Sequence, residues 1–412
     1  MQDVFVTKPY RFVPAFRSRP IPYLVKHFQL FRGFLRRKEG VVDYECRNVD
    51  RLKDSLRQGD SILLVPNHSR TADPMVMGWL VKEANCLFYA MASWHLFNQG
   101  WFMHYALRTL GAFSVNREGM DRPAIDEAVR ILETAERPLV LFPEGTASRV
   151  NDRLLPLMDG VSFIARTAAK RRKKHNGGRV VVHPVAIKYR FQGDLKETVS
   201  PVLSEIEQRL SWRPQDDRPL LQRLARLGEA LLTLKELEYL GFIQTGTLIE
   251  RQTQLINHLL QPIEVEWFGR PQNLGIISRI KQIRMKILPG VLQQEVDPNE
   301  HARRWRQVED TYLAQQLFCY PERYLEERPS VDRILETVER FEEDLTDRVR
   351  VHGNLKVIID VDEPLVVSTE RDRSATEDPL MKSIRERLQS RLDELSLESP
   401  LYEESASSET PA

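Results

Sequence analysis

Between Ser61 and Ile187 the apolar positions fall into two alternating patterns. Short unbroken runs, Ser61–Val65, Cys86–Ala90, Ala112–Val115, Leu139–Phe142 and Val180–Ile187, read as strands buried on both faces. The stretches between them bring apolar residues back every three or four positions. Met75, Val76, Trp79 and Leu80 do so, as do the segments Arg122–Ala135 and Asp159–Lys174, which predicts amphipathic helices. Alternating strand and helix of this kind predicts an α/β layer fold, a mixed sheet flanked by helices.

From about Pro201 the pattern changes to long, charged, leucine-bearing helices. Leu220, Leu224, Leu227, Leu231 and Leu234 form one helical stripe, and Val331–Arg348 forms another. The run Leu355–Leu365 then reads as a strand, with Pro262–Gly269 as a rival candidate for the strand that closes the sheet. This gives a basic aromatic segment at 1–40, an α/β domain at 41–200, a helical insertion or second helical region at 201–350, a closing strand at 351–370 and a C-terminal part at 371–412. That last part comprises a helix, Asp378–Leu395, and an acidic, serine-rich tail from Glu398 to Ala412 too poor in apolar residues to fold.

Composition adds limits. A chain of 412 residues exceeds the usual size of one domain, and 42% hydrophobic residues suffice for a core. The three cysteines, Cys46, Cys86 and Cys319, are odd in number and far apart, so they read as reduced thiols. A net charge of +1 gives no pull towards nucleic acid, and no nucleic-acid partner is expected. The distribution of charge says more. From Lys8 to Lys38 the chain has no acidic residue, and its cations alternate with Phe12, Phe16, Tyr23, Phe28, Phe31 and Phe34. Leu24, Val25, Phe28, Phe31 and Leu35 keep helical spacing there, which suits either an interfacial helix on an anionic lipid surface or a helix packed on the domain with its basic face in water. The start, Met1–Tyr10, has no secretory character, and no run reaches the ~18 apolar residues of a spanning helix. Leu87–Phe113, rich in aromatics, comes nearest, and could line an apolar groove or sit in the interface.

Candidate chemistry lies where the first buried strand ends. Asn67-His68-Ser69-Arg70-Thr71-Ala72-Asp73 puts an imidazole and a carboxylate five residues apart, just before a helix opened by Asp73 as N-cap and Pro74 as its first residue. One carboxylate oxygen could cap that helix while the other holds the imidazole N–H, which fixes the tautomer and leaves the second ring nitrogen to accept a proton. The alternative is a plain cap beside a polar loop histidine. His183 reads as a satisfied histidine in a sheet, and His95 and His104 have no ligand spacing, so no metal is expected.

Three further segments follow in order: Gly111-Ala112-Phe113-Ser114-Val115-Asn116-Arg117, Phe142-Pro143-Glu144-Gly145-Thr146 and His183-Pro184-Val185. With the N-H-x4-D block, they resemble the four blocks of the glycerolipid acyltransferase family, which includes lysophosphatidate and glycerol-3-phosphate acyltransferases. The resemblance covers roughly Asn48 to Ile187. One departure is visible: where the family follows E-G-T with arginine and then serine, here Ala147 intervenes and Ser148 precedes Arg149.

The resemblance implies an O-acyltransferase of phospholipid biosynthesis, acting on 1-acylglycerol 3-phosphate, glycerol 3-phosphate or another lysophospholipid. His68 would be the general base and Asp73 its orienting carboxylate. Asn67, Arg117, Glu144, Gly145, Thr146 and Arg149 would bind substrate, with Glu144 equally suited to bracing its turn. No cofactor is implied. The donor would be a thioester of coenzyme A or of acyl carrier protein, and the chain would attach peripherally to the cytoplasmic face of a membrane. A catalytically idle lipid-binding scaffold is the rival of another class, against which the intact His68/Asp73 pair argues.

Overall fold

The computed structural model describes residues 10–403 apart from 118, 120, 176, 293–296, 371–373 and 376. The expectations for Met1–Pro9, Lys8 among them, and for the end of the acidic tail lie outside the described residues. Two short helices, α1 (Pro20–Phe28) and α2 (Arg32–Lys38), precede β1 (Val41–Arg47), α3 (Val49–Arg57), β2 (Ser61–Pro66) and α4 (Asp73–Glu83). Then come β3 (Tyr89–Ser93), α5 (Trp101–Thr109), β4 (Ala112–Val115), α6 (Arg122–Thr134), β5 (Leu139–Val140), α7 (Gly160–His175) and β6 (Val180–Gln192). A helical stretch follows: α8 (Leu195–Arg209), α9 (Leu220–Leu240), α10 (Leu248–Phe268), α11 (Ile276–Leu292), α12 (Pro298–Phe318), α13 (Tyr324–Glu327) and α14 (Val331–Thr346). The chain returns to the sheet with β7 (Asn354–Val361) and β8 (Leu365–Val366), and α15 (Pro379–Leu397) completes the elements.

The fold is α/β, with one mixed sheet of order β1-β7-β6-β2-β5-β3-β4 and β8 beside β6. Strands β6, β2, β5, β3 and β4 run parallel, so their carboxyl ends share one edge. Strand β7 pairs parallel with β1 and antiparallel with β6. The rival run Pro262–Gly269 is the end of α10, continued through Pro262 by a helix whose Leu255, Leu259 and Ile263 are all buried. Strand β3 begins at Tyr89, three residues later than the apolar run from Cys86 suggests; the N–H of Cys86 is still bonded back to the Val81 carbonyl of α4.

Strand β2 shows how the sequence builds the two layers. Ile62 and Leu64 enter a core with Val76, Trp79 and Leu80 of α4, while Leu63 and Val65 enter the opposite core with Ile131, Leu132, Ile164 and Ala165 of α6 and α7. This is the period-two alternation of a strand covered on both faces, and it explains why Ile62–Val65 is unbroken by polar residues. On the first face, α8, the start of α9 and α14 join the sheet core, whereas α10, α11 and α12 form a core of their own around Leu255, Leu259, Ile283, Ile287 and Val308.

The helical stretch also contains an internal repeat. Helices α9, α10 and α11 start 28 residues apart, at Leu220, Leu248 and Ile276. Each start is tied to the preceding helix by the same device: a buried glutamate takes a two-pronged grip from an arginine and accepts the backbone N–H of a glutamine eight residues on. The sets are Glu207, Arg223 and Gln215; Glu236, Arg251 and Gln244; and Glu264, Arg279 and Gln272. Planar guanidinium and carboxylate satisfy each other so fully that the pair tolerates burial, and the third bond caps the turn. The hydrophobic pattern gave no sign of this repeat.

At the two ends the structure refines the expectations. The N-terminal amphipathic stretch is broken at Gln29, which takes a left-handed conformation (φ 48°). Its α2 buries Leu35, so the segment packs on the domain, yet α1 and the turn after it leave Leu24, Phe28 and Leu30 exposed and Arg32, Arg36, Arg37 and Lys38 face water. The first residues of the expected tail are ordered: Leu401 bridges to Ser330, and Pro400 accepts the N–H of Val331.

Candidate active site

The loop from Asn67 to Ala72 leaves the carboxyl end of β2, the edge where α/β sheets place their ligands. Asn67 fixes where the loop begins. Its side-chain amide accepts the N–H of Ile187 (2.7 Å) and donates to the same residue's carbonyl (3.0 Å), prolonging the β2–β6 ladder past Pro66. Asn151 does the same for Tyr189, at 2.9 and 2.6 Å. The amide of Asn67, expected to bind substrate, is buried and engaged with β6.

His68 Nδ1 lies 2.8 Å from Asp73 Oδ2, with the histidine side chain 17% exposed and the aspartate fully buried. The expected cap is corrected in detail. Ala72 is the N-cap, Asp73 is the first helical residue, and its carboxylate turns back into the loop. There Oδ2 also accepts the N–H of Arg70 (2.9 Å), and Oδ1 accepts the hydroxyl of Tyr189 (2.6 Å). Three donors hold an acceptor-only group, so Asp73 is oriented and His68 carries its proton on Nδ1. Burial, and then the charge of Asp73, push the Tyr189 hydroxyl well above its ordinary range, so it stays a donor. The imidazole rests on Phe142 at 4.5 Å between ring centres.

The turn after β5 locks this loop from the other side. Glu144 accepts the N–H of His68 (2.6 Å) on one oxygen and that of Leu155 (2.9 Å) on the other. The carbonyls of His68 and Ser69 accept the N–H groups of Ser148 and Arg149. Burial pushes the Glu144 carboxyl up to about 8, against the pull of its two backbone donors and with a further push from Asp73. Of the two roles open to Glu144, the geometry favours bracing. Gly145 takes φ +72°, and a Cβ there would meet Met158 at 2.8 Å, so both conformation and space call for glycine. Thr146 is half-buried on the same turn.

Arg117, just beyond β4, donates to the Gly145 carbonyl (2.7 Å), so one turn carries contacts to both His68 and Arg117. Arg149 is not gathered in with them. In a left-handed conformation (φ 58°), it turns its guanidinium to Glu343 of α14 (3.1 Å). Arg70 does likewise, reaching Glu339 of α14 (2.7 Å) over the ring of Tyr189.

Sequence reading missed Tyr189, Asn151, Glu339 and Glu343. Tyr189 sits among the apolar residues of β6, and nothing local marks it. His183 is the satisfied sheet histidine that the sequence suggests. It is buried between Ser55 Oγ (2.9 Å) and the Asp362 carbonyl (2.8 Å), and burial lowers its pKa. His95, bonded to Ser93, is lowered to about 4 by burial and then by Arg117. Among the described residues no cluster of side chains fit to hold a metal occurs.

At the strand ends of this α/β sheet a buried carboxylate orients a mostly buried histidine, an arrangement able to support general-base chemistry. The acyltransferase family matches residues 47–188, the segment running from the end of β1 to the first part of β6, and this segment is similar to that family. The chain is also similar to a 1-acyl-sn-glycerol-3-phosphate acyltransferase of Streptococcus pneumoniae, 30% identical over 127 residues; this alignment spans 30% of the chain and 43% of that relative.

Proposed function

We propose that the protein moves a fatty acyl group from an acyl thioester to the free hydroxyl of 1-acylglycerol 3-phosphate, forming phosphatidate. The observation that carries the reading is the 2.8 Å pair of His68 Nδ1 and Asp73 Oδ2, lying inside the segment that matches the acyltransferases. With Nδ1 committed to Asp73, Nε2 is left as the base. It takes the proton of the acceptor hydroxyl as that oxygen attacks the thioester carbonyl, and Asp73 stabilises the imidazolium that forms. The tetrahedral intermediate then expels the thiolate, which takes the proton back from Nε2. The acceptor supplies its own nucleophile, so no covalent acyl-enzyme is required. The donor is an acyl thioester of coenzyme A or of acyl carrier protein.

The test is a single incubation of purified protein with labelled oleoyl-CoA and a panel of glycerol 3-phosphate, lysophosphatidate and other lysolipids. Labelled phosphatidate from lysophosphatidate supports the reading; acylation of glycerol 3-phosphate alone moves the protein to another acceptor, and no transfer to any acceptor sinks it.

Arg117 is the proposed phosphate ligand, since a guanidinium can grip a phosphate with two parallel bonds. Arg117→Ala is expected to raise the acceptor KM roughly 10- to 100-fold, the worth of a charge-assisted contact of about 1.5–3 kcal/mol, while the donor KM holds. A raised donor KM with an unchanged acceptor KM assigns Arg117 to the thioester side instead.

No described helix is long and apolar enough to cross a membrane. The proposed attachment is peripheral, through the exposed cations of α2, the apolar face of α1 and the exposed Trp101, Phe102 and Tyr105 of α5. Each cation near an anionic surface contributes on the order of 1 kcal/mol. Changing Arg32, Arg36, Arg37 and Lys38 to glutamine should therefore weaken sedimentation with anionic vesicles at low salt at least about tenfold and leave little salt dependence. Sedimentation equal to the parent at both low and high salt rejects this segment as the contact.

A further inference from the structure

Helix α14 is remote in sequence from the His68 loop, yet at successive turns its glutamates meet that loop and the β5–α7 loop hydrogen-bonded to it. Glu336 accepts the backbone N–H of Asn151 (3.0 Å), Glu339 binds Arg70 (2.7 Å), and Glu343 binds Arg149 (3.1 Å). The spacing puts all three on one helix face. Arg70 matters most, since it touches Asp73 by two routes. Its N–H donates to Asp73 Oδ2, and its guanidinium lies over the ring of Tyr189, whose hydroxyl holds Oδ1. Arg70 and Glu339 are both buried, so the charge of either is poorly screened if the other is lost. Glu339 is itself fixed, its second oxygen accepting the N–H of His352 (2.9 Å).

We propose that Glu339 is a positioning residue for the reaction: by neutralising and anchoring Arg70, it sets both the orientation of Asp73 and the basicity of His68. The helical region thereby forms the back wall of the dyad rather than an appendage to the acyltransferase segment. This inference rests on His68 being the base.

Several other groups surround the dyad. Glu39, after α2, bonds Thr71, and Glu144 and Arg149 come from the loop between β5 and α7. Tyr189 comes from β6, and Glu336, Glu339 and Glu343 from α14. Of these, the Arg70–Glu339 pair is the one whose cationic member also holds Asp73 directly, and its two halves have opposite effects. Glu339→Gln leaves a buried cation that disfavours the imidazolium, so the His68 pKa falls. Arg70→Gln leaves a buried anion that favours it, so the pKa rises. Changing both restores neutrality.

The experiment is an NMR titration of the His68 ring in the full-length protein and in Glu339→Gln, Arg70→Gln and the double variant, with kcat and KM measured alongside. The expected shifts are roughly half a unit down, half a unit up, and back near the parent, for a buried charge acting across several ångströms. In Glu339→Gln, kcat should fall about tenfold with the acceptor KM little changed. A merely structural role lowers activity without shifts of opposite sign, so His68 titrating alike in all four proteins overturns the inference. The titration needs no turnover; a protein that acylates none of the acceptors but shows the opposed shifts retains the electrostatic coupling and rejects only the function proposed above.

Discussion

Replacing His68 with alanine is expected to lower kcat for acyl transfer on the order of 10³-fold, within the range of a positioned general base. The fold should survive the change. The parts of His68 that the surrounding structure uses are its backbone N–H, taken by Glu144, and its carbonyl, taken by Ser148, and both remain in alanine. The ring itself packs against Phe142 and is partly exposed, so its loss leaves a small cleft open to water and no large buried void. KM values for donor and acceptor should move little, because a base acts on the barrier and not on ground-state binding. Circular dichroism and a thermal scan check the fold, and single-turnover transfer checks the chemistry. Turnover within a few-fold of the parent would remove His68 from the reaction.

Asp73→Asn should cost about as much by a different route. An amide has one acceptor and one donor, whereas the site presents three donors to the carboxylate, from His68, Arg70 and Tyr189. If the NH₂ takes the place of Oδ2, it opposes the Arg70 N–H and turns His68 Nδ1 into an acceptor, which moves the ring proton to Nε2 and abolishes the base. If it takes the place of Oδ1, the Tyr189 hydroxyl loses its acceptor in a fully buried position, at about 1–3 kcal/mol. The first orientation lowers activity and the second lowers stability, so the variant should show a kcat loss of about 10²–10⁴ together with a lower thermal midpoint. An unchanged midpoint with kcat within tenfold of the parent contradicts this account of Asp73.

The local parts of this architecture were legible in the sequence. Strand β2 showed itself by an unbroken apolar run, α4 by its 3.6-residue spacing, and the His68/Asp73 pair by lying between them, because each depends on residues close together in the chain. What escaped depends on distant partners. Nothing near Leu355 says that β7 slots between β1 and β6, and nothing near Arg70 or Arg149 says that carboxylates of α14 will take their guanidinium groups. Asp73 was read as a cap because a cap is the local solution for Asp-Pro. The structure chooses otherwise because Tyr189, brought in by β6, offers the carboxylate a buried donor. The contacts of Asn67 escape the sequence for the same reason: its role as a false rung of the sheet exists only once β6 lies alongside.

The position of β7 has a consequence for synthesis on the ribosome. Strand β6 emerges well before β7, and until Asn354–Val361 follows, the far end of β6 and the inner side of β1 offer open backbone N–H and C=O groups to any passing strand. The whole helical region from α8 to α14 is made during that interval. Closure then joins segments separated by most of the chain, the kind of contact that forms slowly. A nascent chain stalled before α14 would carry the His68 loop on an unfinished sheet and without the Glu339 contact to Arg70, a species suited to aggregation or to capture by chaperones.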